Sequence, residues 1–219
     1  MRGYFVTGTD TGIGKTVVSE ALMQYLRRDA ARVVGFKPVA SGCVMTPAGL
    51  RNSDALRLQQ AASVQLSYAE VNPYAFAEPI APHLAAAAAG VQIDVTSICA
   101  GIRATAADYV VVEGVGGWLV PLNDAETVAD LAVELGLPVL LVVGLRLGCI
   151  NHALLSAAAI RARGLSLIGW VANELAPAMA KLDENVETLN AWLGVPCVAR
   201  LPWRPAWSGP EFADCFRFE

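Results

Sequence analysis

The sequence predicts an α/β chain: a mostly parallel, doubly wound sheet with helices on both faces. Three observations predict it. Short runs rich in Val, Leu and Ile, apolar on both faces, recur along the 219 residues, as strands covered from both sides read. Helix-like segments alternate with them from end to end, the order that right-handed crossovers in a parallel sheet require. The first run opens directly onto a glycine-rich turn and then a helix. The length suits one domain spanning residues 1–219, and 55% hydrophobic residues are enough for a substantial core.

Taken in order, the first strand is 4–7, β-branched and aromatic, and an amphipathic helix covers 15–27. A second strand is expected over 33–38. Helices follow over 54–62, 82–89 and 95–106, the second of them stopped by Gly90. Strand Tyr109–Glu113, helix Val128–Leu135, strand 139–143 and helix 150–163 continue the alternation. Strand 167–173, helix 178–193 and strand Cys197–Leu201 complete it. The tail beyond Trp203, with Pro205 and Pro210, has no clear period and reads as irregular.

Composition excludes several classes. The longest apolar run, 137–145, holds Pro138 and Gly144 and falls far short of the roughly 20 residues of a membrane span. No signal peptide is expected ahead of the first strand. A net charge of −4 without a basic block argues against nucleic acid as a partner. Five scattered cysteines fit neither a zinc site nor a disulfide framework and read as small buried hydrophobes or free thiols. His83 and His152 read as structural, with no cluster around either to hold a metal. A soluble protein of the cytoplasm is expected.

The turn Gly8-Thr9-Asp10-Thr11-Gly12-Ile13-Gly14-Lys15-Thr16 has the strand–turn–helix context of a phosphate-binding loop. Its glycines let backbone N–H groups crowd an anion, and the helix start adds positive potential. Lys15 supplies a cation for the outer phosphates and Thr16 a hydroxyl for Mg²⁺. Five residues separate Gly8 from Gly14, one more than the general pattern allows.

Ligands of parallel sheets bind at the carboxyl ends of the strands. Segments 8–16, 37–42, 113–117, 144–151, 173–174 and 202–203 are therefore expected to converge. Lys37 ends the second strand and either sits solvated or faces the phosphate loop, where a second lysine would neutralise a migrating phosphoryl group. Ser41 serves a tight turn or presents a hydroxyl inward. Asp54 caps or enters the first turn of its helix, or binds Mg²⁺. Glu113, followed by Gly114, ends an apolar strand where nucleotide-binding sheets place a metal-reaching acid, and Val115-Gly116-Gly117-Trp118 then lets backbone approach a ligand. Thr16, Asp54 and Glu113 make a plausible Mg²⁺ set. The helix start at Gly148, Cys149, Ile150 and Asn151 suits an anion, or is an ordinary cap.

Together these segments resemble the dethiobiotin synthetase family, with its P-loop NTPase-like fold. The resemblance runs over almost the whole chain. It includes Gly8-Thr9-Asp10-Thr11, Gly14-Lys15-Thr16, Lys37-Pro38-Val39-Ala40-Ser41-Gly42 and Arg51-Asn52-Ser53-Asp54. It continues through Val71-Asn72-Pro73-Tyr74, Pro82-His83, Val112-Glu113-Gly114-Val115-Gly116-Gly117-Trp118 and Leu147-Gly148-Cys149-Ile150-Asn151-His152. Gly169-Trp170-Val171-Ala172-Asn173 and Leu201-Pro202-Trp203 extend it, and the odd loop spacing is the family's own.

The resemblance implies ATP-dependent conversion of 7,8-diaminononanoate (7,8-diaminopelargonate) and CO₂ to dethiobiotin, through an N-carbamate and a carbamic-phosphoric anhydride. It implies that Lys15 and Lys37 hold the γ-phosphate and carbamate, and that Thr11 and Ser41 contact carbamate or diamine. It places Gly12, Ile13, Gly14, Lys15, Thr16 and Val17 around the phosphates, and Mg²⁺ on Thr16, Asp54 and Glu113. Asn173 would read adenine, with Glu174, Pro202, Trp203, Arg204 and Glu211 around base and ribose. It also implies a homodimer whose partner subunit offers the 148–151 helix start to the substrate carboxylate.

Departures from the family are Asn185, near where a Tyr is usual, and Glu174 in place of Asp. Beyond Trp203 the match fades, so Glu211 requires a short insertion. A cobyrinate-type amide ligase would need a glutamine-hydrolysing domain, for which the chain has no room. A ParA- or MinD-like ATPase switch would carry a second lysine early in the loop, where Thr and Asp stand.

Overall fold

The computed structural model describes residues 1–204 and 209–218. In order, the chain forms β1 (Gly3–Gly8), α1 (Lys15–Leu26), β2 (Val33–Phe36), β3 (Val39–Ala40), β4 (Val44–Thr46), β5 (Gly49–Arg51), α2 (Ser53–Ala61), α3 (Tyr68–Val71) and β6 (Tyr74–Ala75). There follow α4 (Pro82–Ala88), α5 (Val95–Ala104), β7 (Tyr109–Glu113), α6 (Val128–Leu135), β8 (Val139–Leu145), α7 (Cys149–Ala162), β9 (Leu167–Glu174), α8 (Leu182–Leu193) and β10 (Cys197–Leu201). A 3₁₀ segment, Gly209–Cys215, comes last.

Six strands form one sheet in the order β10-β9-β8-β1-β7-β2, with every neighbouring pair parallel. Side chains along each strand alternate between two cores, as the pleat dictates. Val139, Leu141, Val143 and Leu145 face one core with α4 to α8, while Leu140 and Val142 face the other with α1 and α2. Phe5 and Val6 divide in the same way on β1. The six strands expected from the sequence are the six found, and among the described residues no helix is long and apolar enough to cross a membrane.

Local chemistry sets the element ends. Asp94 caps α5 by accepting from the Ser97 amide at 3.1 Å. Thr127 and Asp130 form a capping box on α6, which stops at Gly136 with φ 66°.

Three boundaries differ from expectation. The second strand ends at Phe36, not Pro38: the Lys37 amide leaves the sheet to donate to the Val71 carbonyl at 3.0 Å, and Pro38 has no amide to give. The last helix begins at Leu182 instead of Ala178, because Lys181 takes a left-handed conformation (φ 56°) that interrupts the run. The tail is irregular in expectation but carries the 3₁₀ segment; its Phe212, and Phe216 just after it, are buried in the core beside α1. The part of that expectation covering 205–208 lies outside the described residues. The β4–β5 hairpin, α3, and the paired β3 and β6 were not anticipated, being too short to show a period.

Gly169 lets β9 and β10 pack together. A Cβ there would meet Val198 Cγ1 at 2.6 Å and the Pro196 carbonyl oxygen at 3.1 Å. Gly169→Ala is expected to lose about 1–3 kcal/mol in urea unfolding through overpacking. Adding Val198→Ala makes room for the methyl, so the double variant should lose less than the two single losses combined.

Candidate active site

The phosphate loop is held from beneath by a hydrophobic pin. Ile13 is buried at 1% exposure, and its side chain fills the space above two glycines. A Cβ on Gly8 would lie 2.6 Å from Ile13 Cδ1, and one on Gly144 would lie 2.8 Å from Ile13 Cγ2. The Thr9 amide donates to the Val142 carbonyl at 3.1 Å, tying the loop's start to β8. At its far end Asn173 Nδ2 donates to the Ile13 carbonyl at 2.7 Å. Gly14 caps α1 with φ 87°, where a Cβ would sit 2.3 Å from Asn173 Nδ2, so only glycine fits. With no side chain capping α1, its first amides are left for an anion.

Beside the loop lies a buried charge cluster. Lys37 Nζ donates to Glu113 Oε1 at 2.5 Å and to the Gly114 carbonyl at 3.3 Å, and lies 3.3 Å from Asp54 Oδ2. Thr16 Oγ1 donates to the same Glu113 oxygen at 3.0 Å. The other oxygen, Oε2, is buried and has no hydrogen-bond partner among the described residues. Asp54 sits in the first turn of α2 while Asn52 is the cap, its Oδ1 accepting from the Asp54 and Ala55 amides at 3.0 and 3.2 Å.

The two lysines answer differently to burial. Lys15 Nζ donates to the Asp10 carbonyl at 2.8 Å, and its pKa is lowered to about 8. Burial is the larger cause and the positive charge of Lys37 the next, against partial relief from Glu113, Asp54 and Asp10. Burial also works against the Lys37 ammonium, but the charges and hydrogen bonds of Glu113 and Asp54 outweigh it and hold the pKa above the ordinary lysine value.

A cavity of about 660 Å³ joins these groups. It is lined by Thr11, Gly12, Gly14, Lys15, Thr16, Val17, Lys37, Ser41, Asp54, Glu113, Val115 and Gly116, all expected from the sequence. Ser41 Oγ is buried with no partner among the described residues. Sequence reasoning missed Arg57 and the wall Pro79, Ile80, Ala81 and Pro82. Arg57 was legible: it stands three residues after Asp54 on α2, hence on the same helical face. It is held by Glu20, Nε to Oε1 at 2.8 Å.

Other expected residues lie outside this lining. Gly148 caps α7 with φ 96°, Cys149 is buried, Ile150 half-buried and Asn151 exposed. Asn173 backs the phosphate loop, and its Oδ1 is buried without a partner among the described residues. Glu174 accepts from Arg200 Nε at 2.8 Å. Pro202 is half-buried and Trp203 exposed, Arg204 lies over the Phe212 ring at 5.6 Å, and Glu211 is exposed on the 3₁₀ segment. His83 is half-buried with an unpartnered Nδ1, and His152 is exposed. Among the described residues no three His, Cys, Asp or Glu side chains cluster as a metal site.

The chain is also similar to known proteins. A family model described as an AAA domain matches residues 2–211. The ATP-dependent dethiobiotin synthetase BioD of Xanthomonas euvesicatoria pv. vesicatoria (strain 85-10) is 55% identical over 204 residues, 92% of this chain and 91% of its own. BioD 1 of Escherichia coli (strain K12), named likewise, is 52% identical over the same shares. The chain belongs to the dethiobiotin synthetase family. Membership makes it an enzyme, an ATP-dependent ligase of biotin synthesis. Solved structures with the same fold include the MinD cell division protein of Aquifex aeolicus. That likeness has a TM-score of 0.57 at 12% identity and covers 94% of this chain and 84% of that one. FtsY of Elizabethkingia anophelis in complex with GDP follows at TM-score 0.54 and 14% identity, with 100% and 64% covered. At such identities the likeness concerns the fold alone.

The sequence contains three lysines, Lys15, Lys37 and Lys181, so selective ¹³C-lysine labelling resolves each Cε signal. In the ligand-free protein Lys15 should titrate near pH 8, not near 10.5. Because its pKa is lowered, its positive charge is present below pH 8 and lost above, and pyrophosphate affinity should fall as pH rises through that value. In Lys37→Met the neighbouring cation is gone while Glu113 and Asp54 stay, so the Lys15 midpoint should move up.

Proposed function

We propose that this chain turns 7,8-diaminononanoate, CO₂ (or bicarbonate as its source) and ATP into dethiobiotin, ADP and phosphate. The observation that carries the reading is that one cavity puts both lysines, the phosphate loop, Thr11 and Ser41 around the same space. An ATPase switch needs only the loop. A second buried lysine and an unpartnered serine hydroxyl facing that loop supply what an acceptor would need.

The 7-amino group adds to CO₂ and loses a proton, giving a carbamate. A carbamate oxygen attacks the γ-phosphorus of ATP, expelling ADP and forming a mixed anhydride. The 8-amino nitrogen then attacks the anhydride carbonyl, phosphate leaves, and the five-membered ureido ring closes with loss of a proton. Each step gathers negative charge on oxygen between Lys15 and Lys37, and fixed cations there stabilise it without reorganising solvent. Positioning matters as much as charge, since the acceptor must lie in line with the γ-phosphate. Ser41 Oγ, buried and unpartnered, fits hydrogen bonding to the carbamate, and Thr11 lines the same wall. Free α1 amides and residues 12–17 fit the phosphates.

Mg²⁺ belongs to this reading, with Thr16, Asp54 and Glu113 as protein ligands; bound there it would neutralise phosphate charge. The fit rests on Glu113 Oε2, a buried carboxylate oxygen without a partner, beside the Thr16 hydroxyl. Two carboxylates and a hydroxyl leave positions for phosphate oxygens and water, as Mg²⁺ prefers.

Asn173 Oδ1, orphaned while Nδ2 is engaged, fits an acceptor for the adenine amino group. Glu174, Pro202, Trp203, Arg204 and Glu211 complete the proposed nucleotide rim. The homodimer is part of the same reading. The 148–151 helix start lies outside the cavity of its own subunit, and Leu147 beside it is 95% exposed, as suits a segment completing a partner's site.

Incubating the protein with MgATP, bicarbonate and 7,8-diaminononanoate should yield dethiobiotin by mass, with ADP release dependent on the diamine. ATP hydrolysis indifferent to the diamine, without a ureido product, would overturn the reading. Lys37→Ala should cut turnover by orders of magnitude while nucleotide binding largely survives. Loss of nucleotide binding with normal residual chemistry would contradict the role given to Lys37.

A further inference from the structure

The segment Val71-Asn72-Pro73-Tyr74 has no part in the reading above, yet it reaches Lys37 from behind. Asn72 is 2% exposed and ends α3. Its Nδ2 donates to the Lys37 carbonyl at 2.6 Å and to the Tyr74 carbonyl at 3.2 Å. Its Oδ1 accepts from the Tyr68 hydroxyl at 2.8 Å. That hydroxyl in turn accepts from the Asn52 amide at 2.7 Å. Asn52 is the cap of α2 and so orients the turn that bears Asp54. An unbroken chain of hydrogen bonds therefore runs from the backbone of Lys37, through Asn72 and Tyr68, to the helix start that carries Asp54.

The surroundings keep this chain in place. The Lys37 amide donates to the Val71 carbonyl at 3.0 Å, and the Tyr74 amide donates to the Pro38 carbonyl at 3.1 Å, so Lys37 is gripped on both sides of its peptide. The Arg51 guanidinium covers the Tyr68 ring at 4.1 Å from its centroid. A capping box of Ser67 and Glu70 starts α3, fixing the helix that presents both Tyr68 and, at its end, Asn72.

We propose that Asn72 and Tyr68 are positioning residues. They set the separation between the Lys37 ammonium and the Asp54 carboxylate, and so the place Lys37 takes beside the transferring phosphoryl group. Two considerations support the assignment. Lys37 leaves the sheet after Phe36, so the regular strand ladder does not determine where its backbone goes; the Asn72 amide and Val71 carbonyl do. Asp54 stands on a helix outside the main sheet, with no strand linking it to Lys37. Leu58 packs α2 against Gly35 on β2, but that apolar contact fixes neither the direction of the Lys37 carbonyl nor the turn bearing Asp54; the Asn72–Tyr68 bridge reaches both, and the ion pair itself must loosen when ligands enter.

The role given to Lys37 rests on the proposed reaction, but the positioning can be read without it. Tyr68→Phe removes one hydroxyl and keeps the ring under Arg51. In ¹³C-lysine spectra of the ligand-free variant, the Lys37 Cε signal should shift while those of Lys15 and Lys181 stay. In the dethiobiotin assay, kcat should fall about tenfold, the cost of a displaced reacting group, with the KM for ATP within twofold of the parent. In a Lys37→Ala background the same substitution should cost much less than in the parent, because the lysine it positions is gone and only its effect on Asp54 remains. Asn72→Ala, checked for folding by circular dichroism, should show the same pattern more strongly, and Asn72→Asp should not rescue it, lacking the donor to the Lys37 carbonyl. An unmoved Lys37 signal, an equal loss in the Lys37→Ala background, or a loss confined to KM would each overturn the proposal. If the unsubstituted protein makes no dethiobiotin, the reaction assigned above fails, while the Lys37 signal still decides the positioning.

Discussion

A lysine and a glutamate buried against one another set the terms for the rest of this molecule. Lys37 and Glu113 are both nearly inaccessible, and neither charge could be buried alone at a tolerable cost. Glu113 ends a central strand of the sheet, so its carboxylate is held by the fold itself. Lys37 and Thr16 both donate to one of its oxygens and leave the other bare. Asp54 adds a second negative charge from a separate helix. Burial thus creates a compact set of charges whose partners are incomplete within the protein, which is what a site awaiting a charged ligand requires.

The phosphate loop depends on the same fold in a different way. Its glycines at 8 and 14 serve different needs. Gly8 joins Gly144 in making room for the Ile13 side chain, whereas Gly14 makes room for Asn173 and starts α1. The extra residue between them thereby gains a structural partner, since the loop is anchored by an apolar side chain sunk between two strands. Lys15, curled back to the Asp10 carbonyl, is held in a setting that disfavours its own charge, and an incoming phosphate would relieve that.

Much of this was legible in the residues. The alternation of apolar strands and amphipathic helices announced the sheet, because strands covered on both faces must be apolar throughout. Gly14-Lys15-Thr16, Lys37 and Glu113 could be marked because charged and glycine residues interrupt that pattern at strand ends, where parallel sheets gather their ligands. Arg57 could have been found from its spacing to Asp54. The short elements between Val39 and Ala75 could not, since two to four residues show no period, and they are the ones that steer Lys37.

The sequence by itself determined the class of fold, the loop that holds phosphate, and which ionisable side chains stand at strand ends, because those depend on local composition and period. The tertiary structure alone decided that Lys37 and Thr16 meet at the Glu113 carboxylate while Asp54 pairs with Lys37, that Asn173 braces the loop, and that Asn72 and Tyr68 join Lys37 to α2. Such contacts join residues up to 160 positions apart in the chain. Only the packing of distant segments brings them together, and no local pattern records it.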